Sequence, residues 1–134
     1  MFKRIAHVCL NVKNLSKSIN FYNKLGFEKV FKYTKKSKDF GAYLKIAENN
    51  FLELFENPDI DKSGNSGFHF CLETDNMDET IEFLDMNCIE HTEKKTGHDG
   101  SLQIWLIDPD GYRFEVHQYT KNSSQYNRKD IIVT

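Results

Sequence analysis

The stretch Ile104-Trp105-Leu106-Ile107-Asp108-Pro109-Asp110-Gly111-Tyr112-Arg113-Phe114-Glu115-Val116-His117-Gln118-Tyr119 decides how the chain is read. Two runs of strand-forming residues meet at a Pro-Asp-Gly turn, which predicts a hairpin. The second run carries a carboxylate, Glu115, among apolar neighbours. Such a group must reach solvent, pair with a cation or hold a metal ion. The rest of the chain bears on this choice, because Glu115 lies 62 residues after Glu53 and His69 lies 62 residues after His7.

That offset marks an internal repeat. Ile5-Ala6-His7-Val8-Cys9-Leu10 matches Gly67-Phe68-His69-Phe70-Cys71-Leu72, and Leu52-Glu53-Leu54 matches Phe114-Glu115-Val116. Between them, Asn14-Leu15-Ser16-Lys17-Ser18-Ile19-Asn20-Phe21 matches Asn76-Met77-Asp78-Glu79-Thr80-Ile81-Glu82-Phe83, and Tyr43-Leu44 matches Trp105-Leu106. His to Glu is 46 residues in both halves, so no net insertion separates them. Common core periodicity would align apolar positions; it would not also set His on His and Glu on Glu.

In chain order, Ile5 to Val12 is a predicted strand and Leu15 to Leu25 a helix, capped by Asn14 or Ser16 and ended by Gly26. Strands are expected over Phe27 to Tyr33, Phe40 to Ile46 and Phe51 to Phe55, with Thr34 to Asp39 a solvated turn. Glu56 to Ser66, rich in breakers, is a predicted linker. The second half repeats the order, with a strand from Gly67 to Glu73, a helix near Asn76 to Asn87 and a strand from Ile89 to Lys94. A loop through Gly97-His98-Asp99-Gly100 leads to the hairpin quoted above. The expected fold is α+β, one domain over residues 1–134 built of tandem βαβββ modules at 1–60 and 65–120. The tail, 121–134, could add a short strand at Asp130 to Thr134.

A chain of 134 residues with 39% hydrophobic content, including 11 Phe, has enough apolar mass for one core, whereas half-size modules would be marginal alone. The formal charge of −2 gives no support for a nucleic-acid surface. No run approaches a membrane span, and Met1-Phe2-Lys3-Arg4 enters a strand directly, so a soluble, cytoplasmic protein is expected. Cys9, Cys71 and Cys88 form no ligand doublet and are expected to be small buried residues, Cys9 and Cys71 sharing a strand face with the repeat histidines.

Strand alternation allows His7 and Glu53 to project from one sheet face, and His69 and Glu115 from another. If the two sheets meet about an approximate twofold, two imidazoles and two carboxylates converge. That set suits a six-coordinate divalent ion, Ni, Co, Zn, Mn or Fe, with two positions left for water or substrate. His117 lies two residues past Glu115 and so shares its face, as a substrate contact or a hydrogen-bonded wall residue; Tyr119 and Phe55 are weaker candidates of the same kind. His91, with no partner at the repeat offset, is read as structural, and His98 as a loop residue. Asp108 and Asp110 are read as shaping the turn.

Over about Lys3 to Tyr119 these motifs resemble the vicinal oxygen chelate superfamily, which includes glyoxalase I, bleomycin- and fosfomycin-resistance proteins, methylmalonyl-CoA epimerase and extradiol dioxygenases. The resemblance rests on His7, Phe21-Tyr22-Asn23-Lys24-Leu25-Gly26-Phe27, Leu52-Glu53-Leu54, His69 and Asp108-Pro109-Asp110-Gly111-Tyr112-Arg113-Phe114-Glu115. It implies paired βαβββ modules curving into an open barrel-like cavity around a metal. The His-Glu-His-Glu order is similar to glyoxalase I, the lactoylglutathione lyase. It implies a metal-dependent lyase or isomerase that moves a proton between adjacent carbons of a hemithioacetal, or of a similar small α-hydroxycarbonyl compound, through an enediolate. Glu115, or its repeat counterpart Glu53, would be the base.

The resemblance also implies substrate contacts. Asn57 matches a glutathione-contacting asparagine, Arg113 a basic position, and Asn11 stands where the short bacterial glyoxalases carry arginine. With only Arg4, Arg113 and Arg128 in the chain, glutathione recognition would rest on few arginines. The short relatives imply a homodimer whose sites can be shared between subunits. The rival readings are a ligand-binding, drug-sequestering protein of bleomycin-resistance type and an epimerase of methylmalonyl-CoA type.

Overall fold

The computed structural model describes residues 1–61 and 68–131. Parts of three expected elements lie outside the described residues: the linker over 62–66, Gly67 at a strand start, and 132–134 of the tail. The chain forms two compact units, Met1–Ser66 with Asp108–Gly111, and Gly67–Ile107 with Tyr112–Thr134.

In the first unit, β1 (His7–Val12), α1 (Leu15–Lys24), β2 (Glu28–Lys35), β3 (Lys38–Ala47) and β4 (Asn50–Glu56) make a four-stranded sheet of order β1-β4-β3-β2. β1 runs parallel to β4 and the other pairs are antiparallel. Because directly paired residues share a face, Leu10, Val12, Leu52, Leu54, Ala42 and Leu44 fall together on one side, and all are buried. α1 packs on this sheet, presenting Leu15, Ser18 and Tyr22 at helical spacing. Each buried leucine contributes roughly 2 kcal/mol.

Both ends of α1 are fixed by side-chain or turn chemistry. Asn14 accepts from the Lys17 N–H at 2.9 Å, and the last strand residue, Glu56, accepts from the Leu15 N–H at 3.1 Å. At the other end Gly26, at φ +88°, donates to the Asn23 carbonyl while Phe27 donates to Tyr22, the paired bonds of a Schellman end. The turn Asp108–Gly111 belongs to this unit. Asp108 Oδ1 accepts from the Asp110 N–H at 2.8 Å, its Oδ2 accepts from the Tyr22 hydroxyl at 2.9 Å, and Asp110 Oδ2 accepts from the Lys13 N–H at 3.1 Å. The two aspartates therefore shape the turn, as their spacing suggests, and their buried carboxylates are matched by donors.

The second unit repeats the plan. β5 (Phe70–Glu73), α2 (Met77–Met86), β6 (Lys95–Thr96), β7 (Leu102–Ile107) and β8 (Arg113–Gln118) give the order β5-β8-β7-β6, with β5 parallel to β8. The end contacts recur at the same offset. Asn76 caps α2, and Gln118 accepts from the Met77 N–H at 2.7 Å, as Glu56 does for Leu15. Cys88 occupies the position of Gly26 at φ +53°, donating to Asp85, while Ile89 donates to Leu84.

Three expectations are corrected, and the tail adds an element. The strand expected over Ile89 to Lys94 is absent: His91 makes one isolated bridge to Leu106, and pairing resumes only at Lys95–Thr96. There the Thr92 side chain accepts the Trp105 N–H at 2.9 Å, taking a donor that a ladder carbonyl would otherwise accept. The turn expected over Thr34 to Asp39 narrows to Lys36 and Ser37, both at positive φ, with β2 and β3 paired up to it. All three cysteines are free and exposed rather than buried. In the tail, Ser124–Asn127 form a short helix, α3.

Candidate functional site

The strand faces opposite the leucine cores carry the chemistry. In the first unit Cys9, Glu53 and Tyr43 are paired across β1, β4 and β3. In the second, Cys71, Glu115 and Trp105 are paired across β5, β8 and β7. His7 Nε2 lies 3.7 Å from Glu53 Oε2, and His69 Nε2 lies 3.6 Å from Glu115 Oε2. The repeat therefore reproduces a side-chain geometry as well as a backbone. His7 begins β1 and His69 just precedes β5, so both histidines sit at strand ends rather than near the middle, and both stay solvent-accessible, at 42% and 44%. Each partner carboxylate is only 14% exposed.

The surroundings then diverge. Glu53 Oε1 accepts a 2.8 Å hydrogen bond from the Tyr33 hydroxyl, and that bond is the first cause holding the Tyr33 phenol above its ordinary range. Position 95, the counterpart of Tyr33, is a lysine. Glu115 instead faces His117, whose Nε2 is 3.0 Å from Glu115 Oε2. Despite that distance the buried Nε2 has no hydrogen-bond partner among the described residues. His117 Nδ1 lies 3.4 Å from Ser101 Oγ, and Ser101 donates to Asp99 at 2.7 Å.

Cys71, Glu115 and His117 bring one ligand atom each to within 4.8 Å of one another. Whether this set fits a divalent ion turns on the orphaned nitrogen. Two ligand atoms each about 2.1 Å from one ion and at right angles stand about 3 Å apart, the separation of His117 Nε2 and Glu115 Oε2. An imidazole nitrogen and a carboxylate oxygen at that distance, not hydrogen-bonded to each other, suit a cation between them. Cys71 fits less well. Its residue surface is exposed, yet loss of water around the sulfur, followed by the Glu115 charge, pushes the thiol up to about 12. It stays protonated at neutral pH unless a bound cation displaces the proton.

The other sequence candidates are placed as follows. Arg113 lies over the Trp105 ring, 4.6 Å from its centroid, and Trp105 is 5.1 Å from the His69 ring. Tyr119 meets His117 edge to face at 6.1 Å. Phe55 stacks on Phe40 and touches Tyr33, part of an aromatic run with Phe31, Tyr43 and Phe51 on the first unit. Asn11 pairs with Phe55 across β1 and β4. Asn57 holds a local turn, its Oδ1 accepting from the Asp59 N–H at 3.3 Å. His91 is structural, bonded to the Thr92 carbonyl at 2.8 Å and facing Asp85 at 3.2 Å. Sequence reasoning gives Ser101 no role, and the repeat could not flag it, because its counterpart at the 62-residue offset is Asp39 and that of His117 is Phe55; Cys71, which matches Cys9, reads as a small buried residue on the face of His69.

A family model described as Glyoxalase/Bleomycin resistance protein/Dioxygenase superfamily matches residues 4–116. The chain is 35% identical to a trivalent organoarsenical cleaving enzyme of Bacillus sp. (strain MD1), covering 92% of this chain and 78% of that protein. It is 30% identical to a lactoylglutathione lyase of Escherichia coli O157:H7, covering 84% and 90%. A solved glyoxalase family protein from Enterococcus faecalis superposes with a TM-score of 0.74 at 29% identity, over 87% of this chain and 98% of that one.

Proposed function

We propose, for a chain that belongs to the Glyoxalase/Bleomycin resistance protein/Dioxygenase superfamily, a metal-dependent lyase or isomerase acting on a hemithioacetal or another small α-hydroxycarbonyl compound. The observation that carries this reading is the repeated His–Glu pair, at 3.7 Å and 3.6 Å in the two units, with the His117 nitrogen left open beside Glu115. His69 and Glu115 are proposed ligands from the second unit, and His7 and Glu53 from the first, of the same chain or of a homodimer partner. When bound, a divalent ion supplies Lewis-acid stabilisation of the negative charge that develops on the substrate carbonyl oxygen.

The chain's own residues would do the rest. Glu115 takes the proton from the carbon beside the carbonyl and returns it to the former carbonyl carbon, while the hydroxyl proton passes to the former carbonyl oxygen, so that the reaction is an isomerisation with no net change in atoms. Glu53 is the less suited of the two carboxylates, because the Tyr33 hydrogen bond ties one of its oxygens in place. Arg113, held over Trp105, supplies a fixed positive charge on the second unit for an anionic substrate group.

The test is a screen of hemithioacetals and α-hydroxycarbonyl compounds in deuterated water with Ni, Co, Mn, Fe and Zn in turn. Isomerisation or deuterium uptake at the carbon, lost in Glu115→Gln while bound metal persists, is the expected result. Loss only in Glu53→Gln would move the base to the first unit. No exchange with any compound would remove the reading. The aromatic run Phe31-Tyr33-Phe40-Tyr43-Phe51-Phe55 favours a second reading, a protein that binds and sequesters a flat apolar ligand. Saturable binding of such a ligand without turnover or metal would support it.

A further inference from the structure

We propose that Asp99, acting through Ser101, is a positioning residue that fixes the tautomer and direction of His117 so that its Nε2 lone pair is presented beside Glu115 as a ligand donor. The inference rests on the metal reading above for the use of that lone pair, but its geometric part stands without it. The Ser101 hydroxyl has one proton, and it is donated to Asp99 Oδ1 at 2.7 Å. Toward His117 the same oxygen can only accept, so the proton at the 3.4 Å contact belongs to His117 Nδ1. In a neutral imidazole that leaves Nε2 bare. The opposite tautomer would place a proton on Nε2, and no hydrogen bond joins Nε2 to Glu115 or to any other described residue despite the 3.0 Å separation from Oε2.

The anchor of this chain is itself held from several sides. Asp99 also accepts from the Ser101 N–H at 3.1 Å and from Gln125 Nε2 at 2.6 Å, and its carbonyl accepts the Ser124 N–H at 2.7 Å. Ser101 is fully buried. Between them Gly100 takes φ +79°, where a Cβ would stand 2.7 Å from the Asn122 carbonyl oxygen, so only glycine lets the loop close this way. Burial acts to raise the Asp99 carboxyl, yet the hydrogen bonds from Gln125 and Ser101 hold it below the usual carboxylate range, so it remains an anion at neutral pH. The first unit has Phe55 where His117 stands, so the device belongs to one half of the repeat.

Two readouts test it. In the metal-free full chain at pH 8, imidazole 15N shifts should show His117 protonated at Nδ1, and the preference should relax in Ser101→Ala and in Asp99→Asn, with Gln125→Ala as a milder variant that leaves the buried serine intact. Cobalt(II) alone, followed by calorimetry and its visible spectrum, should bind about 10- to 100-fold more weakly to the first two variants. An Nε2–H tautomer in the wild type, or one unchanged in both variants, would overturn the positioning role. Cobalt affinity that ignores Ser101 and Asp99 would overturn the link to the metal. Failure of the wild type to bind cobalt would instead overturn the metal reading, and the ligand role given to Nε2 with it.

Discussion

Tyr33 donates its hydroxyl proton to Glu53 Oε1 at 2.8 Å, and this bond breaks the equivalence of the two repeat glutamates. Glu115, its counterpart, is approached instead by His117 Nε2, which has no hydrogen-bond partner among the described residues. One of the two repeat carboxylates is thereby tethered by a phenol, and the other is not.

Removing the tether should show this. Tyr33→Phe is expected to fold and to lose metal affinity by about 10-fold, the lower end for loss of a hydrogen bond to a ligand. The Tyr33 phenol, raised first by its bond to Glu53, should titrate above ordinary tyrosines, and Glu53→Gln should bring it back toward them. Phenol titration followed by 13C NMR at the tyrosine ring checks both halves.

Glu56 links the fold to pH. Its bond to the Leu15 N–H, then its contact with Lys38 at 3.3 Å, holds its carboxyl below the usual range. A carboxyl depressed in the folded state contributes stability that is fully present above the unfolded value near 4.3 and is lost as pH falls through the folded one. Asp39 and Asp99 are shifted in the same direction. Urea unfolding between about pH 6 and 3 should therefore show falling stability on the acid side. Glu56→Gln, which copies Gln118 of the second unit, should flatten that fall, whereas Glu56→Ala should cost about 1 kcal/mol at neutral pH.

Cys88 reveals what the repeat hides. It stands at φ +53°, where the first unit uses Gly26, so a side chain with a Cβ sits in the left-handed region. Cys88→Gly should stabilise the chain by roughly 0.5–1 kcal/mol, seen as a higher urea midpoint at unchanged m-value. A lower midpoint would mean that contacts of the Cys88 side chain outweigh the backbone strain.

The parts of the structure legible in the sequence are those fixed by local pattern and repetition. Asn14 and Asn76 announce the helix starts, Gly26 one helix end, Asp108-Pro109-Asp110-Gly111 the turn, and the 62-residue offset the recurrence of a His–Glu pair, His7 with Glu53 and His69 with Glu115. What escaped depends on contacts between distant positions. The edge strand expected over Ile89 to Lys94 yields to a Thr92 side chain that takes a backbone donor. α3 is held by Asp99, through its carbonyl and the Gln125 contact, in a segment that otherwise reads as a polar tail. Cys71 lies on the face predicted from strand alternation but remains exposed, because that face is the polar side of its sheet. The Asp99–Ser101–His117 chain joins a loop to a strand and leaves no periodic trace.

If the repeated His–Glu pairs hold a catalytic divalent ion, as proposed, metal stoichiometry shows it. Protein equilibrated with Ni, Co, Mn, Fe or Zn, dialysed and analysed by mass spectrometry, should retain about one ion per chain with at least one of these metals. His69→Ala and Glu53→Ala should each abolish tight retention while circular dichroism stays native. A wild-type chain that retains no ion with any metal, or variants that retain it undiminished, would rule out these four residues as the metal's ligands.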